Sequence, residues 1–234
     1  MKTTYVLIAC LIFIAAQSTV AQTEPWLKYN KAASDALKER RFDDAQQNLQ
    51  QALKELEKAD IKDSRLGDTL STLALTYQLQ KKDARAEEMY LRALGIYENN
   101  GAPDDKIALT LWNLAKEYVS LGKIDQAETT FTRAAALAEK AKGPENLLLG
   151  GILRSLADLQ TRQHRYPEAE AAYKRALPIY EKSLGAEHWA VAATLEEYAV
   201  LLKKMSRKSD ASQLEARAKR IRAKGNNSQP YVIP

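Results

Sequence analysis

Few side chains in this 234-residue sequence have the types and spacing that catalysis needs. Neither of the two histidines, His164 and His188, has a second histidine or a cysteine three or four residues away, which is the spacing of a zinc site on a helix. The adjacent acids Glu196 and Glu197 would point about 100° apart on a helix, unlike a general acid and base that face one substrate. The sequence therefore predicts no enzyme, no cofactor and no metal site.

The strongest regularity in the chain is a recurrence of alanine. Small residues recur at steps of 41 or 42 positions in three registers, and larger apolar residues stand beside them at helical spacing. Two helices can approach closely only where the facing side chains are small, so each step predicts a pair of packed helices. The alanines are Ala33, Ala74, Ala115, Ala157 and Ala199; Ala45, Ala86, Ala127, Ala169 and Ala211; and Ala52, Ala93, Ala134, Ala176 and Ala218.

The length of the repeat sets the fold class. One pair of helices of about 42 residues buries too little apolar surface to be stable alone, so neighbouring pairs must stack into an all-α solenoid. The ranges are about 26–60, 61–101, 102–143, 144–185 and 186–224. Glycines past the second helices would end them, and a turn within each repeat would join its helices. The glycines are Gly101, Gly143 and Gly185; the turns fall near Arg40, Lys81, Gly122, His164 and Ser206.

Pro178 lies inside the predicted second helix of the fourth repeat, at the register that Gly95 occupies in the second repeat. Proline removes a backbone donor and crowds the preceding turn of a helix. We therefore expect a bend or a weakening of the helix at both positions.

The N-terminus has the pattern of a secretory signal peptide. An apolar run follows Lys2, and Thr19-Val20-Ala21 ends the segment with small residues. Residues 1–21 are thus a predicted signal peptide, and we expect a secreted or periplasmic protein. The run is shorter than a spanning helix, which favours cleavage over a permanent anchor. A lipid-attachment box at Cys10 is the weaker alternative because only a very short apolar segment precedes it.

Positive charge concentrates in the last predicted repeat. The whole chain carries a net charge of +5, yet residues 203–224 hold nine Lys or Arg against Asp210 and Glu215. Arg217, Arg220 and Lys224 could dock this end on an anionic envelope surface. The alternative is a solvated cap, because Leu214, Ala218 and Ile221 keep the spacing of an inner helical face. Export and the lack of an aromatic stacking pattern argue against nucleic acid as a partner.

The pattern resembles the tetratricopeptide repeat (TPR), which places small residues twelve apart and a tyrosine three beyond the first, here Tyr77 and Tyr118. The 42-residue period and the loop Ser183-Leu184-Gly185-Ala186-Glu187-His188 are similar to kinesin light chain repeats and their bacterial relatives. The resemblance covers about residues 26–224 and implies a right-handed α-solenoid that binds other proteins. In the fifth repeat Glu215 replaces the expected aromatic residue, as suits a terminal repeat.

The resemblance also implies where a partner would bind. First helices of such repeats line the concave side, so the residues three before and one after the first alanine should face a groove. An exposed tryptophan is a plausible anchor, and an arginine could grip a carboxylate at two points. Alternatively, the tryptophan is partly buried against its neighbour. The candidates from this register are Trp112, Lys116, Arg154, Asp158 and Glu196, and beside them Asn113 stands where many relatives carry a ligand-contacting asparagine.

Two hypotheses for function follow. The first is an exported, non-enzymatic scaffold or adaptor that binds a peptide or a partner helix in this groove. The second is a structural component of the cell envelope that acts through its basic end or its convex face. Residues 225–234 carry no charge and have no helical period, so we expect a disordered tail; its apolar end could dock in a neighbour and cause self-association.

Overall fold

A computed structural model describes residues 24–225, which form helices joined by short connections. The predicted signal peptide and, apart from Gly225, the predicted C-terminal tail lie outside the described residues. Within the described part of the chain, no helix is long and apolar enough to cross a membrane. The helices are α1 (Pro25–Lys38), α2 (Phe42–Lys58), α3 (Ser64–Leu79), α4 (Asp83–Asn99), α5 (Asp104–Ser120), α6 (Ile124–Lys142), α7 (Leu147–Arg162), α8 (Tyr166–Leu184), α9 (Trp189–Lys204) and α10 (Lys208–Gly225).

The turn inside each repeat is made by one residue with left-handed backbone. Arg40, Lys81, Gly122, His164 and Ser206 all have φ between 58° and 72°, although only one of the five is glycine. The second helices of the middle repeats end within two residues before Gly101, Gly143 and Gly185, which also have positive φ. The predicted turns and helix ends are therefore confirmed.

All fifteen repeat alanines are buried, each with at most 1% of its surface exposed. Aromatic residues fill the space beside them on the second helices, and Tyr90, Phe131 and Tyr173 are each 1% exposed. The packing explains the sequence pattern, because small residues let the helices approach and large ones close the gaps between them. The all-α, solenoid fold class is thereby confirmed.

Pro178 does not end its helix, since α8 continues to Leu184, and α4 likewise continues through Gly95 to Asn99. Neither helix is interrupted at these positions, and the bend or weakening expected there stays a prediction. Pro178 lies on the exposed side of α8 while its neighbour Ile179 is buried. Burial of the opposite face supports the helix through the proline.

The chain divides into two compact units, with the boundary inside α4 between Met89 and Tyr90. In the first unit α1 packs on α2 and α2 on α3. Polar contacts join its repeats, for the Asn30 side-chain amide donates to the Thr69 hydroxyl over 3.0 Å and the Gln50 amide donates to the Tyr77 hydroxyl over 3.0 Å.

The second unit contains three complete helix pairs, α5 with α6, α7 with α8 and α9 with α10. Each pair packs on the next, because α6 contacts α7 and α8 contacts α9. The first helices of the three pairs also lie side by side, as α7 touches both α5 and α9. This arrangement places the candidate residues of α5, α7 and α9 on one continuous layer.

Candidate functional site

The groove candidates lie on one surface of the second unit, which we call the inner face. It is formed by side chains that recur at helical spacing on α5, α7 and α9. Leu109 belongs to it because it lies three residues before Trp112 and four before Asn113. The inner face comprises Leu109, Trp112, Asn113 and Lys116 of α5, Arg154, Ser155 and Asp158 of α7, and Glu196, Glu197 and Val200 of α9.

Trp112 is half-buried rather than freely exposed, which corrects the expectation of an exposed anchor. Its indole N–H donates a hydrogen bond of 3.0 Å to the Ser155 hydroxyl on α7. A Cβ atom added to Gly151 would come within 2.6 Å of the ring, so the indole occupies the space that the glycine leaves. The tryptophan therefore joins α5 to α7, as the alternative hypothesis of partial burial proposed.

Lys116 is the free cation of the inner face. Its ammonium lies 5.4 Å from the centre of the Trp112 ring, and no carboxylate within residues 24–225 is in ion-pair distance of it. The side chain stays accessible to solvent, yet the surrounding protein partly desolvates the ammonium and so lowers its pKa. Arg154 lowers that pKa further, whereas Glu117 raises it.

Arg154 already has a carboxylate partner. Its Nε lies 3.2 Å from Oε2 of Glu197 on α9, and its guanidinium lies 6.0 Å from the centre of the buried Tyr180 ring. Burial raises the pKa of the Glu197 carboxyl, and Arg154 opposes that rise. In the free chain Arg154 thus contacts a carboxylate of the protein itself, and its two-point grip on a ligand stays a prediction.

The remaining candidates differ in how far packing already uses them. Asp158 pairs with Arg162 on its own helix over 2.7 Å, and Glu196 pairs with Arg222 of α10 over 2.9 Å. Asn113 is half-buried, and its amide makes no hydrogen bond to any residue in the described range. Leu109 and Val200 are 45% and 49% exposed. Asn113, Lys116 and the two apolar side chains are therefore available to a partner.

The outer layer, made by the second helices α6, α8 and α10, pairs its charges between successive repeats. Arg175 of α8 lies 3.2 Å from Glu139 of α6, and Arg217 of α10 lies 2.6 Å from Glu181 of α8. A second row of pairs follows the turns, where Arg165 contacts Glu128 and Arg207 contacts Glu170. Acid and base are separated by 36 or 37 residues in each pair, so these ion pairs recur once per repeat. We call the two rows of pairs the ion-pair ladder.

The basic end belongs to this ladder. Lys224 lies 3.0 Å from Glu187, and Arg217 is held by Glu181. Among the three candidates for an envelope contact, Arg220 alone has no ion pair within the described chain. Part of the positive charge of α10 is thus neutralised by acids of the preceding repeat.

Charged residues also close the last repeat at the positions where other repeats carry aromatic side chains. Glu215 occupies the register of Tyr90, Phe131 and Tyr173, and it pairs with Lys203 of α9. Arg222 occupies the register of Tyr180 and pairs with Glu196. These pairs cover the final hairpin with polar groups, as a terminal repeat requires.

Both histidines have local structural roles. The Nδ1 atom of His188 accepts the backbone N–H of Ala190 over 3.2 Å and so caps α9, while His164 makes the left-handed turn before α8 and contacts the Tyr166 hydroxyl. No group of three His, Cys, Asp or Glu side chains in residues 24–225 could hold a metal ion.

Two open depressions of the described surface lie away from the inner face. One of about 540 Å³ lies beside the Arg40 turn of the first unit, and one of about 550 Å³ lies beside Pro178 on the outer layer. Both are open to solvent and lined largely by charged residues that form ion pairs, among them Arg41 with Asp44 and Lys182 with Glu145. Neither depression assembles groups for catalysis.

Sequence reasoning missed Glu197, Gly151 and Leu109 as parts of the inner face. Glu197 could have been found, because steps of 42 residues lead from Asn113 through Ser155 to it. The role of Gly151 depends on the rotamer of a tryptophan on another helix, and no regularity in the sequence reports that contact.

Solved structures share this architecture, although none of the curated proteins compared with the chain matches it significantly in sequence. BtubC (BKLC) from P. vanneervenii is 25% identical, with a TM-score of 0.75 over 86% of this chain and 81% of that one. A protein from Podosopora anserina with nearly identical kinesin light chain TPR-like repeats is 18% identical, with a TM-score of 0.72 over 88% of this chain and all of that one.

A Rap protein in complex with Competence and Sporulation Factor has the same fold. It is 18% identical, with a TM-score of 0.58 over 84% of this chain, and the chain spans 63% of that protein. The family model of the tetratricopeptide repeat matches residues 26–99, 106–182 and 148–224. Since these matches cover nearly all of the described residues, this chain belongs to the tetratricopeptide repeat family.

Proposed function

We propose that the chain is an exported, non-enzymatic adaptor that binds an extended segment or a helix of another protein on the inner face. Proteins of this fold serve as interaction scaffolds, and the chain carries the repeats throughout its described length. The proposal adds the place of binding and the compartment. Export is supported by the apolar run and the small-residue site of residues 1–21.

Three groups on α5 favour the inner face as the binding surface. On α5 an exposed leucine, an amide without hydrogen bonds and a cation without a carboxylate lie within two turns, at Leu109, Asn113 and Lys116. Folding alone does not require these groups at these positions. A partner would supply hydrogen-bond acceptors for the amide and the ammonium. It would also remove the exposed leucine from water.

These groups also indicate the chemistry of the partner. The Asn113 amide can bind the backbone of an extended segment at both its carbonyl and its N–H. The ammonium of Lys116 would attract a carboxylate, while Leu109 and the open edge of Trp112 would contact an apolar side chain. The complex of a Rap protein with Competence and Sporulation Factor supports a partner of this kind for the shared fold.

A capture experiment with matched variants tests the proposal. Residues 22–234 serve as bait for crosslinking to exported proteins, beside the variant Leu109→Asp/Lys116→Glu. The control variant Leu91→Asp/Lys219→Glu makes the same substitutions at exposed positions of second helices. We expect a partner that the wild type and the control retain and the inner-face variant loses, with equal helicity in all three. A partner that all three retain would refute the inner face as its site.

The envelope hypothesis is less well supported. Arg217 and Lys224 face acidic partners within the protein, so only part of the positive charge of α10 is available to an anionic surface. Cosedimentation with vesicles rich in phosphatidylglycerol, comparing the wild type with Arg217→Glu/Arg220→Glu/Lys224→Glu, tests it. Salt-sensitive binding that the triple variant loses would favour this hypothesis over the adaptor.

A further inference from the structure

We infer that Glu197 is an internal competitor for Arg154, which limits the binding of carboxylate-bearing segments to the inner face until that contact opens. The inference rests on the proposed function and names its ligand class, an extended segment with Asp or Glu side chains. It also assigns a regulatory role to a residue on α9, one helix away from the free groups of α5.

Glu197 places a carboxylate beside Arg154 on the inner face. Glu197 stands at the register of Asn113 and Ser155, so its side chain projects onto the inner face like theirs. Its Oε2 lies 3.2 Å from Nε of Arg154. A ligand carboxylate would bind the guanidinium at the position that this oxygen occupies. The protein thus supplies an acceptor to Arg154 from within.

The contact between Arg154 and Glu197 is easily released. The Glu197 Oε2 and the Arg154 Nε are in ion-pair distance, but no hydrogen bond joins the two side chains within the described residues, unlike a bidentate pair. The Arg154 side chain is 28% exposed and that of Glu197 is 35% exposed, so water can reach both groups. A partly exposed ion pair without a hydrogen bond contributes only modestly to stability, so an incoming carboxylate that makes better contacts can replace it.

Charged and titratable groups of three helices surround Glu197. From α7 it faces Arg154, Asp158 and Arg162; from α8 it faces Tyr173 and Tyr180; on its own helix it adjoins Glu196. Glu196 is paired with Arg222 and Asp158 with Arg162, which leaves Arg154 and Glu197 to neutralise each other.

Loss of the Glu197 charge would change this balance. Arg154 and Lys116 would then form a cationic surface across α5 and α7. Since protonation of Glu197 removes the same charge, the affinity of the inner face for an anionic segment should rise as pH falls toward the pKa of that carboxyl. The pKa of Glu197 lies above its ordinary value because the carboxyl is desolvated, which brings this range closer to neutral pH.

A defined peptide tests the inference. The probe is a fluorescein-labelled octapeptide of alternating serine and aspartate, whose carboxyls stay ionised above about pH 5 because free aspartate titrates near 3.9. Its binding to the full chain is measured by fluorescence anisotropy for the wild type, Glu197→Gln and Glu181→Gln. The last variant is the matched control, since it removes one charge and one ion pair, with Arg217, from the outer layer.

We expect Glu197→Gln to bind the peptide about fivefold to tenfold more tightly than the wild type at neutral pH, and Glu181→Gln to match the wild type. As pH is lowered toward the pKa of Glu197, the affinity of the wild type should approach that of Glu197→Gln. Glu197→Asp, which keeps the charge but shortens the side chain, should fall between them. Circular dichroism establishes that all variants are folded.

Equal affinities of the wild type and Glu197→Gln would overturn the inference. If Lys116→Glu abolished that equal binding, the inner face would still be the binding site, and the proposed function would stand without the competitor. An absence of peptide binding by every variant would overturn the carboxylate ligand class and with it the inference, whereas the capture experiment would decide the adaptor function separately.

Discussion

The inner face and the outer layer of the second unit are built from the same repeats, but they use their charges differently. Successive outer helices pair acid with base along the array, as in Glu139 with Arg175 and Glu181 with Arg217. On the inner face Lys116 has no carboxylate and Asn113 no hydrogen bond within the described chain. In this unit the outer layer therefore neutralises its charges within the array, whereas α5 carries polar groups that have no such partner in the described chain.

Substitutions of buried residues on the outer helices should change the free energy of unfolding more than substitutions on the inner face. Phe131→Ala removes a ring that is 1% exposed, and we expect the free energy of unfolding to fall by about 3–5 kcal/mol. Leu109→Ala, on the inner face at 45% exposure, should cost less than about 1 kcal/mol. Urea unfolding followed by circular dichroism measures both. Equal losses would show that Leu109 has a packing role that its exposure conceals.

The contact between α5 and α7 gives the next largest effect. Gly151→Ala places a methyl group 2.6 Å from the Trp112 ring, so we expect a loss of about 1–3 kcal/mol. Gly95→Ala is the matched control, because its Cβ would meet no atom within 4 Å inside a helix. That change should stabilise the chain by about 0.5–1 kcal/mol.

The two glycine variants therefore shift the urea midpoint in opposite directions. Because the chain has three tryptophans, native-state fluorescence without urea is compared in a Trp26→Phe/Trp189→Phe background to report whether Trp112 moves in Gly151→Ala. A neutral Gly151→Ala variant with an unchanged spectrum would mean that the indole does not depend on the glycine.

Carboxylates of the two regions should respond to pH with opposite sign. Hydrogen bonds from Lys174 and Arg207 lower the pKa of the Glu170 carboxyl to about 2. An unfolded glutamate titrates near 4.3, so the stabilisation by Glu170 is complete above that pH and is lost as pH falls toward about 2. Glu170→Gln should cost about 1–2 kcal/mol at neutral pH, a value reduced because both cations are partly exposed.

Glu197 on the inner face has a raised pKa, so its protonation is favoured in the folded chain. The linked free energy of unfolding therefore rises as pH falls through that pKa, the reverse of Glu170. Thermal unfolding of Glu197→Gln and Glu170→Gln across pH separates the two contributions. The same slope for both variants would contradict the difference between the regions.

Most of the fold was predictable because it depends on local rules that repeat. The alanines mark where helices approach, and the positions of the turns at Lys81 and His164 follow from the period even though neither residue is glycine. The sequence did not predict that α8 continues through Pro178 to Leu184, where the buried face of the helix outweighs the effect of one exposed proline. Tertiary packing decided that case against local preference.

The inner face was predictable in position but not in chemistry. The period places Trp112 and Arg154 on the same face of neighbouring first helices, as observed. Their partners Ser155 and Glu197 depend on rotamers and on the approach of α7 to its neighbours. The availability of a charged side chain is a property of the folded unit, so the sequence alone could not separate the free Lys116 from the paired Arg217.

Site-specific photocrosslinking tests the central claim most directly. A benzophenone side chain is placed at Leu109 on the inner face or at Leu91 on the second helix α4, because both positions are 45% exposed. Each protein is irradiated with the exported proteins of its source. We predict that crosslinks to a partner form from position 109 and not from position 91, and that Lys116→Glu removes them. Crosslinks to the same partner from position 91 alone would contradict the account, because they would place binding outside the inner face.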